Sequence, residues 1–323
     1  MEKKKWWSAI LAILLAVLMV TFVGCTDTQD SGAGIGSNSG DTPQESASTE
    51  EKPKETHWGD DGELKILMIG NSFSCDTIHW MYGIAKNVGV EKLLLGNLDS
   101  LGFSLSNHLI HAKENAPKHY YHTNSNGMWS VQENYLLTDA VSAQNLDFIS
   151  FQQSSGSSGQ PYSYDVLPEL MDFVRELCPS AKFVWNMTWA YQVDSTHSAF
   201  SNYRNDQAYM YKAITRTVQA KVLPNKDVSL IVPNATSIQN ARTSYLGDTL
   251  TRDGYHLSYD IGRYIAGVTF FHAVTGIDVS ALTYAPDGVD DNVRKVAIES
   301  AINAVKTPYE ITPSQYVGSS QTI

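Results

Sequence analysis

Two short stretches hold residues whose types and spacing could do chemistry together. Ser72 follows Gly70 and Asn71 directly after the apolar run LKILMI at 64–69, and Asp253 stands three residues before His256 in Asp-Gly-Tyr-His. A serine hydroxyl is a poor nucleophile until a base takes its proton. An Asp at this spacing on a turn can hold one imidazole nitrogen while the other faces the hydroxyl. Neither motif decides anything alone. Most serines in strand-to-helix turns only cap the helix, and Asp-x-x-His recurs by chance. Together, in the right order on the chain, they point to an activated hydroxyl nucleophile.

Other groups compete for attention. Cys75 lies three residues beyond Ser72, where it should fall inside the following helix as a buried, inert thiol. His108, His111, His119 and His122 are close in sequence, but no carboxylate or cysteine accompanies them at ligand spacing, and zinc sites usually take three or four protein ligands. They are read as solvated or core-edge histidines, with no metal and no cofactor expected. His79, His197 and His272 carry nothing specific. Trp189 and Tyr191 follow the apolar run 182–186 and could line a cleft as stacking surfaces for sugar rings, although core packing suits them equally.

This chemistry needs a scaffold that brings residue 72 to residue 256. Apolar runs at 64–69, 92–96, 147–151, 182–186 and 228–232 alternate with helix-spaced segments at about 77–88, 104–114, 165–177, 199–222 and 259–275. Such alternation implies a mostly parallel five-stranded sheet covered on both faces, a three-layer α/β/α sandwich. Ligands then bind beyond the carboxyl ends of the strands, where Ser72 falls. The segment 118–135 breaks the rhythm. Asn126-Gly127 between β-prone runs predicts an inserted hairpin near the rim. A last helix is expected at about 290–305, with a polar end that frays. The domain is therefore placed at 61–285, with residues 286–323 as a C-terminal helix and tail.

The N-terminus reads as an address. Lys3, Lys4 and Lys5 precede an apolar run at 9–23 that ends in Gly24-Cys25, which looks like a bacterial lipoprotein signal over residues 1–25. Cleavage before Cys25 would leave a lipidated cysteine anchored to a membrane surface; a single-span anchor is the alternative. Either arrangement puts the domain outside the cytoplasm. Residues 26–60 are almost without apolar side chains and read as a disordered tether. With a net charge of −11, the chain is a poor partner for nucleic acid. Cys75 and Cys178 could pair in an exported protein or remain free thiols.

Three motifs in order, Gly-Asn-Ser-Phe-Ser at 70–74, Leu-Gly-Phe-Ser-Leu-Ser-Asn-His at 101–108 and Asp-Gly-Tyr-His-Leu-Ser at 253–258, resemble the SGNH (GDSL-like) hydrolase superfamily over about residues 63–276. The resemblance is to a branch that opens Gly-Asn-Ser-Phe rather than Gly-Asp-Ser. It implies a flavodoxin-like fold with Ser72 as nucleophile, His256 as base and Asp253 as its orienting partner. Gly102 would donate its N–H to the oxyanion beside that of Ser72, with Gly96 as a rival. Where the family has Gly-x-Asn-Asp, this chain reads Gln152-Gln153-Ser154. The resemblance implies a Gln carboxamide as the third oxyanion donor, Gln153 ahead of Gln152. Asn71, Gln152, Trp189 and Tyr191 are the substrate-contact candidates. The expected activity is removal of small acyl groups, such as acetyl, from extracellular carbohydrate. An O-acyltransferase using the same residues, or a non-catalytic glycan-binding lipoprotein, are the alternatives.

Overall fold

The computed structural model describes residues 62–318. The signal-like segment with Cys25 and the whole of the expected tether lie outside the described residues. Among the described residues no helix is long and apolar enough to cross a membrane.

The first apolar run forms β1 (Glu63–Gly70), in which Leu64 and Ile66 to Ile69 are fully buried. A strand buried on both faces belongs at the centre of a sheet, and β1 lies between β2 (Lys92–Asp99) and β5 (Phe148–Phe151), parallel to both. β6 (Lys182–Asn186) and β7 (Val228–Val232) continue the parallel series. On the far side of β2, the expected hairpin forms from β3 (His119–Asn124) and β4 (Ser130–Tyr135). It does not stand apart as an insert, because β3 pairs antiparallel with β2 and extends the sheet. The sheet therefore has seven strands instead of five, ordered β4-β3-β2-β1-β5-β6-β7. β2 ends its parallel partnership at β1, and its free edge is satisfied by the hairpin.

α1 (Ser72–Ile78), α2 (Met81–Asn87) and α8 (Ile261–Thr275) pack together, with α7 (Asn234–Arg242) and α9 (Asp291–Lys306) on α8. α3 (Leu105–Lys113), α4 (Leu137–Ser142) and α5 (Leu167–Leu177) form a separate packed group, and α6 (Gln207–Lys221) joins β6 to β7. The helix expected from residue 77 begins earlier, because the Asn71 side chain caps it by accepting from Phe73 N. It also breaks at His79-Trp80, where the Trp80 indole donates to Tyr259 O at 2.9 Å. The stretch 199–222 divides at Arg204 and Asn205, both in the left-handed region with φ of 62° and 53°. The C-terminal end is pinned: Thr312 N donates to Asn240 Oδ1, Ser314 N to Thr243 Oγ1, and Tyr316 O accepts from Tyr245 N. α9 buries Val293, Val296, Ala297 and Ala301, so the compact body continues beyond residue 285. Cys75 and Cys178 are both free thiols.

Candidate active site

The parallel strands end in register, Gly70 beside Asp99 and Ile69 beside Phe151, with Phe151 in turn beside Trp185. Everything that follows these ends is gathered at one edge. Gly70 must lack a side chain, since a Cβ there would come within 2.5 Å of Ser74 Oγ and 3.0 Å of the Gln152 carboxamide carbon. The chain thus turns tightly into Asn71, and Ser72 becomes the first residue of α1. That position has no carbonyl four residues back to accept its N–H within the helix, which leaves the amide available to negative charge.

The loop between α7 and α8 brings the other two groups. His256 Nε2 lies 2.8 Å from Ser72 Oγ, and His256 Nδ1 lies 2.7 Å from Asp253 Oδ2. The second Asp253 oxygen accepts from the backbone N–H of His256 at 2.8 Å and of Tyr255 at 3.2 Å. Partial burial alone would raise the Asp253 pKa, but these hydrogen bonds and the nearby imidazole outweigh it and hold the carboxyl below its usual range. The carboxylate consequently stays charged and fixes the Nδ1 proton, leaving Nε2 to accept from the serine. The imidazole ring is held between Tyr255 and Phe73, with centroids at 4.1 and 5.6 Å.

The loop itself is tied down on two sides. Gly254 turns with φ of 89°, and its carbonyl accepts from Gln192 N while Tyr255 O accepts from the Trp189 indole at 2.8 Å. Asp76, one turn into α1 and fully buried, holds the other side. Its carboxylate accepts from Leu257 N at 2.9 Å, from Arg263 Nε at 2.8 Å and from Arg252 Nη1 at 3.0 Å. One helix therefore carries the serine and, four residues on, the anchor for the histidine's loop.

The relay opens into a cleft of about 580 Å³ lined by Asn71, Ser72, Phe73, Leu101, Gly102, Ser154, Ser155, Gly156, His197, Arg252, Tyr255 and His256. Gly102 sits at its wall with φ of 69°, in a turn closed by Phe103 N donating to Ser100 O. Gly96 lies inside β2, packed against Leu67 and Tyr121, and is remote from that role.

A family described as a domain of unknown function, DUF4886, matches residues 65–304. The chain belongs to the DUF4886 family. A DUF4886 protein of known structure from Bacteroides uniformis ATCC 8492 is 34% identical, with a TM-score of 0.76 over 79% of this chain and all of that one. An acetylxylan esterase from Geobacillus stearothermophilus is 14% identical, with a TM-score of 0.42 over 65% of this chain and 94% of that one. LAE5, an alpha/beta hydrolase enzyme from the metagenome of Lake Arreo, is 11% identical with a TM-score of 0.43, over 65% and 94% of the two chains. These last two likenesses are too slight to bear on activity. No curated protein matches.

Several side chains expected at the cleft are elsewhere. Gln153 is buried, and its amide donates to Ser163 O and Oγ at 2.8 and 3.1 Å while its oxygen accepts from Leu105 N and Ser154 N. Both of its amide hydrogen bonds go to Ser163, and it is not among the cleft-lining residues, so in this structure it braces two loops. Gln152 is also buried. It belongs to a polar chain in which Asn234 donates to Asn186, Asn186 to Gln152 and Gln152 to Asn71, at 2.8, 3.0 and 2.9 Å. Asn71 reaches the cleft wall, but its side chain is occupied by Phe73 N, Gln152 and Phe103 O. Trp189 and Tyr191 are fully buried. Trp189 stacks on Phe73 at 4.4 Å, and Tyr191 hydrogen-bonds Ser155 Oγ at 2.8 Å. They support the cleft from behind and offer no stacking surface.

Two residues at the cleft carried no sequence signal. Ser154 lies on the wall where the carboxamide was expected. His197 faces Tyr255 edge-on at 4.5 Å, and its Nδ1 accepts from Ala199 N at 3.2 Å. Burial, with the charge of His256, lowers its pKa. A neutral imidazole that accepts at Nδ1 carries its proton on Nε2, a hydrogen-bond donor for a substrate oxygen.

Proposed function

We propose that this protein is a serine esterase that removes small acyl groups, O-acetyl foremost, from extracellular carbohydrate. The observation that carries the reading is the unbroken relay from Ser72 Oγ through His256 to Asp253, with both links under 3 Å and opening on a cleft. His256 Nε2 takes the serine proton as Ser72 Oγ bonds to the ester carbon. The tetrahedral oxyanion is met by the Ser72 and Gly102 amides, with the Ser154 hydroxyl as the third donor. His256 returns the proton to the leaving sugar oxygen. It then deprotonates a water that releases the acid and frees Ser72.

The cleft favours a small acyl group on a polar carrier. Its walls carry Ser154, Ser155, Gly156, Gly102 and His197, and Leu101 at its rim is largely exposed, not folded over as an apolar lid. The lipoprotein-like N-terminus supports work at a membrane surface outside the cytoplasm, where carbohydrate is the abundant acylated polymer.

The test is release of p-nitrophenol from p-nitrophenyl acetate, and of acetate from acetylated polysaccharides, by wild type, Ser72→Ala and His256→Ala. Loss of about 10³-fold or more in both variants is the expected result. Wild-type inactivity on every ester, or activity retained in the variants, overturns the reading.

A further inference from the structure

On the other side of α1's chemistry lies a second constellation. The two-residue period of a strand places Asn97 and Asp99 of β2 on one face, and the antiparallel register sets His122 of β3 directly beside Asn97. Cys75, one turn beyond Ser72, comes down on that same face from α1. One ligand atom each from Cys75, Asp99 and His122 lie within 4.8 Å of one another.

Two polar atoms of this cluster are left without partners. His122 Nε2 and Asp99 Oδ2 are 3.8 Å apart, too long for a hydrogen bond. Nitrogen and oxygen ligands ~2.0–2.2 Å from a tetrahedral ion stand about 3.3–3.5 Å apart, so a closure of a few tenths of an ångström would seat both on one ion. Asp99 Oδ1 and Asn97 Oδ1 are buried without a hydrogen-bond partner, a costly state for polar atoms. Asn97 Nδ2 meanwhile points at Cys75 Sγ at 3.0 Å, as a donor that steadies a thiolate would. Cys75, Asn97 and His122 also line a cavity of about 250 Å³ with Ile78, His79 and Trp129, which shares no lining residue with the esterase cleft.

We propose that Cys75, Asp99 and His122 bind a zinc-class divalent cation, with Asn97 as the supporting amide and a fourth coordination position open to this cavity. A thiolate, an imidazole and a carboxylate together suit Zn²⁺ or Co²⁺, whereas Ca²⁺ and Mg²⁺ demand oxygen ligands. Binding exchanges the thiol proton for the metal: the S–H bond breaks, the proton passes to solvent and the sulfur lone pair bonds the cation. The ion would clamp the β3-β4 hairpin and the end of β2 to the helix that carries Ser72.

The experiment is titration of purified, metal-stripped full-length protein with Co²⁺, followed by its thiolate-to-cobalt charge-transfer absorption, and with Zn²⁺, followed by the thermal unfolding midpoint. Wild type should develop the band with one equivalent and gain stability with Zn²⁺. Cys75→Ser should lose the band. His122→Ala, at a partly exposed position that should fold normally, should bind ~10-fold or more weakly. Absence of the band and of the Zn²⁺ shift in wild type overturns the proposal, as does a band that survives Cys75→Ser. Neither readout uses ester hydrolysis, so the outcome is independent of the proposed activity.

Discussion

Asp76→Asn should separate the two jobs of α1. Asp76 is fully buried and accepts hydrogen bonds from two guanidinium groups and the backbone of Leu257. Both arginines are also largely covered, with side-chain exposures of 22% and 12%. The substitution keeps the shape, removes the carboxylate charge that faces both arginines and turns an acceptor into a donor. Breaking a buried ion pair from one side costs about 3–5 kcal/mol. The retained amide oxygen and the arginines' partial access to water put this case near ~3 kcal/mol. The loss has a direction, because Leu257 and Arg252 flank Asp253 and His256 on the same loop. Release of that anchor lets the imidazole drift from Ser72, and a displacement of about 1 Å at a reacting centre costs about 10²-fold in rate.

The assay pairs urea unfolding with p-nitrophenyl acetate hydrolysis and fluorophosphonate labelling of Ser72, at a temperature where Asp76→Asn remains folded. The expected result is a kcat about 10²-fold lower, a KM little changed and equally slowed labelling. Asp165→Asn is the control: its pair with Lys221 is exposed, and such pairs contribute about 0–1 kcal/mol. If Asp76→Asn costs no more than this control, or keeps its kcat while folded, the positioning argument fails.

Gln153→Ala should lower stability by about 1–3 kcal/mol through its orphaned partners while a folded fraction keeps kcat within about tenfold; a hundredfold loss in fully folded protein would restore it as an oxyanion donor. Gly254→Ala should slow hydrolysis, because the residue holds φ of 89° and a Cβ would meet Ser195 at 3.0 Å; unchanged kcat would show that the loop tolerates the strain. Acid should destabilise the fold before it reaches ordinary carboxylate pKa values. Burial, with the charge of neighbouring histidines, lowers His108 to about 3, and burial lowers His119 to about 4. Both lie below the ~6.5 of an unfolded imidazole, so unfolding takes up protons. Stability is thus full above that value and falls as pH drops toward 4, by about 1.4 kcal/mol per pH unit per histidine. Urea midpoints that are flat between pH 7 and 5 would refute this.

How much could be read from the chain depended on whether a residue's role was written locally. The five parallel strands were legible because each is a compact apolar run of strand length, and all but the edge strand β7 are largely buried. α7 was not, because its sequence NATSIQNAR has no apolar stripe. It is nevertheless buried from Asn234 to Ala241, and Asn234 opens the amide chain that ends at Asn71. Hydropathy cannot anticipate a polar helix whose burial is satisfied by partners such as Tyr211, Thr269 and Asn186, each 25 or more residues away. Likewise the hairpin was visible as a turn signal, but its pairing with β2 is a non-local event.

The same distinction explains why Ser72, His256 and Asp253 could be read as a group while the direction of the Gln153 side chain could not. Ser72 and Asp253-x-x-His256 are each defined by a backbone turn of a few residues, and the order of strands then carries those turns to one edge. The donor at the third strand is different, since two adjacent glutamines have long side chains and the choice of direction belongs to their surroundings. Ser163 offers Gln153 two acceptors, and Asn71 offers Gln152 one. Each carboxamide is therefore drawn into the scaffold, and the shorter Ser154 is left at the wall of the cleft. If hydrolysis depends on a donor from this segment, Ser154→Ala should lower kcat more than Gln153→Ala does in folded protein. The reverse order would mean that Gln153 leaves Ser163 when substrate binds, and that the resting hydrogen bonds are not those of the reacting state.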